Sequence, residues 1–484
     1  MKKRLLLSKR LAVGIILLFV GTCIIPTFAQ NTEKSSLPAS RENWLYVGGS
    51  GPGNYSRIND ALANSSNGDT IFVYDDSSPY HEVVSIDKSV TVRGENRETT
   101  VIESDASTSP INLYADGIVF MNFTIIAFES GIRLYYTNDT TVSSCNILTR
   151  YGEGLIIAYS SRNMISNISI RFRGEPAIGY FGVWIYGNSI DNIISYVTVE
   201  SPQYDIDDRG FILGGYGNRI EHVVFLNCSF LGGGIEFENN VFVSNSKDGK
   251  PIVVLKDATS GVVTDASIVV LIDCSNVSVQ NITTSKARVG ILLYRCHDCT
   301  VASCTISQSE YGIYLQACQR ISLLGCTIEY GPQPDSALTI GIAVYTSNDC
   351  TLKDNVIVEN SIGILLEDAT KTLVSHNLLR RNYNLGFWIQ NGIGFGAAVT
   401  IDGGSGNVFI RNTFLGNIIK VVLTNCGHNT WLNNYWGRPK LLLKVLLGFQ
   451  FGYDTVTPFV QMDWRPALIP TVTGITNSLP DGNI

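Results

Sequence analysis

Five stretches of the chain repeat one order of apolar and polar positions: GIRLYYTNDTTVSSCNI from Gly131, GILLYRCHDCTVASCTI from Gly290, GIYLQACQRISLLGCTI from Gly312, GIAVYTSNDCTLKDNVI from Gly341 and GILLEDATKTLVSHNLL from Gly363. They superpose without gaps. One residue after each glycine stand Ile132, Ile291, Ile313, Ile342 and Ile364, and three after stand Leu134, Leu293, Leu315, Val344 and Leu366. Eleven after stand Val142, Val301, Leu323, Leu352 and Val374, and sixteen after stand Ile147, Ile306, Ile328, Ile357 and Leu379. Short alternating runs between polar turns predict strands, and fixed apolar columns predict that each column is one buried stack. Gly290 to Gly312 and Gly341 to Gly363 are 22 residues apart, Gly363 to Gly386 is 23, and Gly312 to Gly341 is 29 because YGPQPDSAL is inserted at a turn. That period predicts an all-β fold: a single-stranded right-handed parallel β-helix, a solenoid with coils of about 22–29 residues stacked at roughly 4.8 Å. Leucine-rich repeats share the period, but their Leu/Asn signature is absent.

The cysteines fall into the same register. Fourteen residues after each glycine stand Cys145, Cys304, Cys326, Asn355 and Asn377, small groups suited to an internal ladder in which Asn hydrogen-bonds up the stack and a thiol acts as a small hydrophobe. Cys296 and Cys318 share the column six after the glycine, and Cys299 and Cys350 the column nine after, where stacked turns are expected. Cys296, His297 and Cys299 therefore read as repeat positions; no second Cys or His pair stands nearby at zinc-ligand spacing, and no metal site is expected. Cys296 with Cys318, and Cys304 with Cys326, are vertical neighbours within disulfide reach in an oxidising compartment.

Outside the coils the pattern changes. MKKRLLLSKRLAVGIILLFVGTCIIPTFAQ has a basic start, an apolar stretch and small residues near Ala29, so residues 1–29 read as a signal peptide or uncleaved anchor, with a linker over 30–43. Residues 44–69 predict an N-terminal cap whose short helix sets Ile58, Ala61 and Leu62 on one face to cover the open end of the solenoid. The parallel β-helix is expected over 70–436, a C-terminal cap over 437–470 and a tail over 471–484. From Gly182 to about Lys256 the period loosens, and SPQYDIDDRG, GGGIEFENN and SNSKDGKPIVV read as longer turns.

Composition narrows the function classes. The net charge is -7, so no basic face exists to neutralise phosphates, and nucleic acid is not an expected partner. Membrane contact is expected only through an uncleaved N-terminal segment, and the mature chain is expected outside the cytoplasm, secreted, cell-surface or periplasmic. YVGGSGPGNYSRINDALANSSNGDTIFVY, DGKPIVVLKD, SNVSVQNIT within the Gly-Ile coils, and the NNYWG…DWRPA ending together resemble exported β-helix proteins of the NosD-like group, within the wider set of carbohydrate-binding and sugar-hydrolase β-helices. The resemblance runs from about residue 44 to 467. It implies the fold and, for named members, a periplasmic part in maturing copper sites.

Candidate chemistry sits in the loosened stretch. Asp205, Asp207 and Asp208 are the densest carboxylates; on an extended segment Asp205 and Asp207 share a face, as catalysis on an acidic polysaccharide or calcium binding requires. Glu221 with His222 follows, and Glu236 with Glu238 reads as a further same-face pair. Trp184 and Tyr186 on one strand face, with Tyr204 nearby, are candidates for stacking on sugar rings. The expectation is an exported β-helix that binds carbohydrate or another cell-surface polymer without catalysis; the alternatives are a polysaccharide hydrolase or lyase using the aspartates, and a copper-maturation factor.

Overall fold

The structure is a computed structural model; it describes residues 43–105, 108–173, 181–201, 209–231, 234–330, 338–382, 387–389, 392–394, 396–438, 443–451 and 456–470. The chain is a right-handed parallel β-helix. Successive coils pair strand on strand in register, as Val301 with Leu323, Leu323 with Leu352 and Leu352 with Val374. The four apolar columns read from the sequence are all buried.

What turns each coil is a single residue in the left-handed region at each corner. In the coil opened by Gly290 these are Arg295, Asp298, Ser303 and Gln308; in the coil of Gly341 they are Thr346, Asp349, Asp354 and Glu359; in the coil of Gly363 they are Asp368, Lys371, His376 and Arg381, all with φ between 46° and 58°. An L-residue adopts this conformation singly and at some cost, so it bends a strand without starting a helix. The residue after each corner points inward and is small: Cys296, Cys299, Cys304 and Ser309 in the first of these coils, Ala369, Thr372, Asn377 and Asn382 in the last, none more than 4% exposed.

That position carries a specific task. At the corner the backbone amide leaves the strand ladder, and a side chain of the next coil accepts it: Asn355 Oδ1 from Cys326 N–H (2.9 Å), Asn377 Oδ1 from Asn355 (2.9 Å), Asn412 Oδ1 from Asn377 (3.0 Å) and Asn434 Oδ1 from Asn412 (2.9 Å). The ladder ends on the buried carboxylate of Asp463, which accepts Asn434 N–H at 3.0 Å and Trp436 Nε1–H at 3.1 Å. A first ladder, Asn163, Asn192, Asn218 and Asn240, runs in the N-terminal half. Buried amides left without a partner are costly, so these side chains stabilise the corners.

The cysteines occupy the same place. Each of the ten described cysteines follows directly on a left-handed residue, from Cys145 after Ser144 to Cys426 after Asn425. A thiol sulfur takes over the acceptor role of Asn: Cys326 accepts the backbone amide of Cys304, and Cys318 that of Cys296. All ten are free, so the disulfides open to the two vertical pairs are not formed. Burial pushes the Cys145 and Cys350 thiols up to about 12.

Both ends are covered. The helix Ile58–Asn64 buries Ile58, Ala61 and Leu62, and its free N-terminal amides at Ile58 and Asn59 donate to the buried Glu82 at 2.8 and 3.1 Å. At the other end an antiparallel hairpin, Lys444–Phe451 with Val456–Asp463, closes the solenoid over Trp431 and Trp436, which stack on Phe409 and Phe414.

Three expectations are corrected. GGGIEFENN is not a turn: Gly234–Asn239 is helical, so Glu236 and Glu238, two apart, do not share a face. SNSKDGKPIVV is an antiparallel hairpin in which Asp248 (φ 47°) and Gly249 (φ 81°) form the bend and Lys247 pairs with Lys250. The coil after Gly363 does not reopen 23 residues on; Gly386 lies outside the described residues, and the strand pairing with Ile364 begins at Val399, 35 residues later.

The hairpin divides the solenoid into two lobes with separate cores. Strand Ile268–Ile272 is buried on both faces: Val269 and Leu271 enter the second core, while Ile268, Val270 and Ile272 join the first. No helix among the described residues is long and apolar enough to cross a membrane.

The corner ladder makes two predictions. Asn377→Leu removes an amide acceptor and strands two donors, so urea unfolding should show a loss of about 2–4 kcal/mol, against less than about 1.5 kcal/mol for Cys304→Ala. A thiol reagent should label none of these ten cysteines in the native chain and all ten after unfolding without reductant; any shortfall in the second count contradicts free thiols.

Candidate functional site

Trp184 and Tyr186 lie on strand Phe181–Tyr186 of a seven-stranded sheet in the first lobe. Strand alternation sends Val183 and Ile185 into the core and turns Trp184 and Tyr186 outward, both half-buried, with ring centroids 4.6 Å apart. Phe181 stands 5.7 Å from Trp184 on the same strand.

The coils below extend this tier. Register places Tyr135, Ala158 and Tyr186 in one row, the alanine leaving room between the two rings. At the adjoining corner Tyr136 and Tyr159 hold the left-handed positions, φ 54° and 50°, and Gly187 follows them in the column, where a Cβ would meet the Tyr159 ring at 2.6 Å. Tyr136 and Tyr159 stack at 5.0 Å and 13°, and Tyr159 meets Tyr186 edge-on at 5.8 Å. Six rings thus run across three coils, ending in Tyr159 and Tyr136, 42% and 60% exposed.

The polar groups of this face are few. Asn112, Arg133, Ile156, Trp184 and Ile212 form the neighbouring row. Glu153, at the edge of the face, accepts Ser130 Oγ–H at 2.6 Å. Burial pushes the Tyr186 hydroxyl above the usual phenol range, and the charge of Arg133 opposes that shift.

Tyr204, Asp205, Asp207 and Asp208 lie outside the described residues, in the link from Ser201 to Arg209. Strand Arg209–Leu213 pairs with Phe181–Tyr186, Arg209 standing against Phe181 and Ile212 against Trp184. Glu221 and His222 stand on another sheet: Glu221 pairs with Arg219 at 2.6 Å, and His222 stacks on Tyr196 at 4.8 Å. Glu238 is bound to Arg295 at 2.7 Å.

A second outward cluster, unread in the sequence, lies on the second lobe. Tyr345, Glu367 and Asp402 are consecutive in register, and Tyr345 stacks on Tyr314 at 5.0 Å, which meets Tyr311 at 5.3 Å. Asp402 accepts Thr424 Oγ1–H at 2.8 Å. Burial, reinforced by the charges of Asp402 and Asp368, raises the Glu367 carboxyl above the usual range. A raised folded-state value means stability is fully present below the unfolded value and lost as pH rises through the folded one. Glu367→Gln should therefore melt above the native chain at pH 7, with the gap closing below about pH 4, the ordinary range of a glutamate; a gap of constant size across thermal melts from pH 4 to 7 would contradict this.

The donor chemistry of the described residues does not fit copper. Cys296 is buried inside the coil, where its thiol donates to the carbonyls of Leu271 (3.4 Å) and Tyr294 (3.5 Å), while His297 lies outside against Asp298 at 3.0 Å. Among the described residues no group of three or more His, Cys, Asp or Glu is placed to hold a metal ion.

Comparison with known proteins follows the fold. No curated protein matches the sequence. Among solved structures, the catalytic domain of a GH87 alpha-1,3-glucanase in complex with tetrasaccharides is 11% identical, covering 84% of this chain and 71% of that one at a TM-score of 0.36. A mannuronan C-5 epimerase A-module from Azotobacter vinelandii is 14% identical (79% of this chain, 93% of that one, TM-score 0.25), and a pectin methylesterase from Erwinia chrysanthemi is also 14% identical (53% and 82%, TM-score 0.29). At such identities and scores these likenesses say nothing of activity. A protein family described as periplasmic copper-binding protein (NosD) matches residues 186–335 and 237–441, more than half of the chain in total. The chain belongs to the NosD family of β-helix proteins.

Proposed function

We propose that this exported β-helix holds a polysaccharide or another cell-surface polymer against the outer face of the seven-stranded sheet and does not turn it over. The observation that carries the reading is the tier of six rings from Phe181 through Trp184, Tyr186, Tyr159 and Tyr135 to Tyr136. Sugars present apolar C–H faces, and aromatic rings offer apolar area with a polar edge at little entropic cost. A tier that crosses three coils suits an extended polymer, because the coil spacing of roughly 4.8 Å commensurates with repeated contacts along a chain. Trp184 and Tyr186 anchor the polymer, and Tyr136 and Tyr159 form its exposed flank.

The family's periplasmic description supports a location outside the cytoplasm. Tyr204 and the aspartates Asp205, Asp207 and Asp208 enter this reading through the sequence alone, as the segment that precedes strand Arg209–Leu213. They supply further contacts or, with calcium, a bridge to an acidic polymer.

The test is a panel of neutral and uronate polysaccharides, with and without calcium, scored for both binding and release of reducing or unsaturated ends. Binding without release is expected, and Trp184→Ala should weaken it about tenfold, some 1.4 kcal/mol. Release of chain ends, abolished in Asp207→Asn, would replace this reading with a hydrolase or lyase.

A further inference from the structure

Arg133 stands in the row beside the aromatic tier, between Asn112 and Ile156 on the neighbouring strands. Its side chain is half-buried, and its Nε is shut off from solvent without a hydrogen-bond partner. Four other outward arginines of the solenoid are paired with carboxylates: Arg162 with Asp139, Arg171 with Glu200, Arg320 with Asp298 and Arg381 with Glu359. Among the described residues no carboxylate pairs with Arg133, although Glu153 lies on the next strand, committed to Ser130.

A second unpaired group, Ser109, stands three residues before Asn112, the register partner of Arg133. Ser109 is fully buried with a hydroxyl that meets no partner, while its carbonyl accepts Asn112 Nδ2–H at 2.7 Å. A guanidinium withdrawn from water without a counterion is unfavourable in the free protein and becomes favourable when an anion arrives. Its planar fork matches a carboxylate in two parallel hydrogen bonds.

Resting on the reading of this face as a polysaccharide-binding surface, we propose that Arg133 makes it selective for anionic glycans, receiving the carboxylate of a uronic acid whose ring lies on the Trp184–Tyr186 tier. The aromatic rings supply the affinity that any sugar shares; Arg133 supplies the distinction between charged and neutral residues of the polymer. Register sets Arg133 two strands from Trp184, across Ile156, and two residues before Tyr135 of the tier.

The experiment compares polygalacturonate with the same polymer fully methyl-esterified, titrated calorimetrically against the native chain, Arg133→Gln, Arg133→Lys and Trp184→Ala, each with its fold verified by circular dichroism. The native chain should prefer the acidic polymer at least tenfold, and the preference should shrink with added salt. Arg133→Gln should erase the preference while leaving binding of the esterified polymer unchanged. Arg133→Lys should restore part of it, and Trp184→Ala should weaken both polymers alike. Equal binding of the two polymers by the native chain, or a preference that survives in Arg133→Gln, overturns the role of Arg133 and leaves the polysaccharide reading standing. Binding of neither polymer overturns both.

Discussion

The molecule depends on one local requirement: a strand that must turn four times in about 22 residues does so at single left-handed residues, and each such corner frees an amide inside the wall. The amide needs an acceptor where water cannot reach. The residue after the corner, contributed by the next coil, supplies it, and this couples every coil to its neighbour. Asparagine does this best, because Oδ1 accepts while Nδ2 donates onward, as Asn377 does to Leu352 O and to Asn412 Oδ1. Cysteine does it with less polarity and more apolar packing. The abundance of both follows from corner geometry, and the sequons at Asn122, Asn167, Asn227, Asn276 and Asn281 recur because each of these asparagines occupies a corner.

Once the corners fix the coils, the outer faces are fixed too. Residues one coil apart, from 22 for Ile291 and Ile313 to 35 for Ile364 and Val399, become neighbours, so a binding surface is assembled one or two side chains per coil. The hairpin at Asp248–Gly249 interrupts this order and lets the outer face of Ile268–Ile272 seal the first lobe. The face that carries Trp184 therefore lies over the first of the two cores. Parallel strands hold Tyr135, Phe181, Trp184 and Tyr186, and the corners hold Tyr136 and Tyr159, which suits a surface that recognises a repeating polymer.

Much of this was legible in the sequence, and the reasons for the gaps are physical. The apolar columns were readable because the period is strict where the interior is uniform. Trp184 and Tyr186 were readable because alternation along one strand needs no knowledge of other coils. Tyr135, Tyr136, Tyr159 and Arg133 were missed because their neighbourhood exists only after stacking, although Tyr135, Tyr294, Tyr345 and Glu367 all stand four residues after their glycines, a column that aligned repeats display. The hairpin was missed because repeat logic outweighed a local signal: Asp-Gly between two extended runs is a hairpin bend in its own right. The Asp205, Asp207 and Asp208 cluster, dense along the chain, lies outside the described residues.

The most direct test of the account is a crystal structure of the mature chain with an oligogalacturonide bound. The account predicts sugar rings lying across Trp184, Tyr186 and Tyr159, with one carboxylate in two hydrogen bonds to Arg133. Density for the oligosaccharide on the Tyr345, Glu367 and Asp402 face, or elsewhere on the solenoid with the six-ring tier bare, would contradict it.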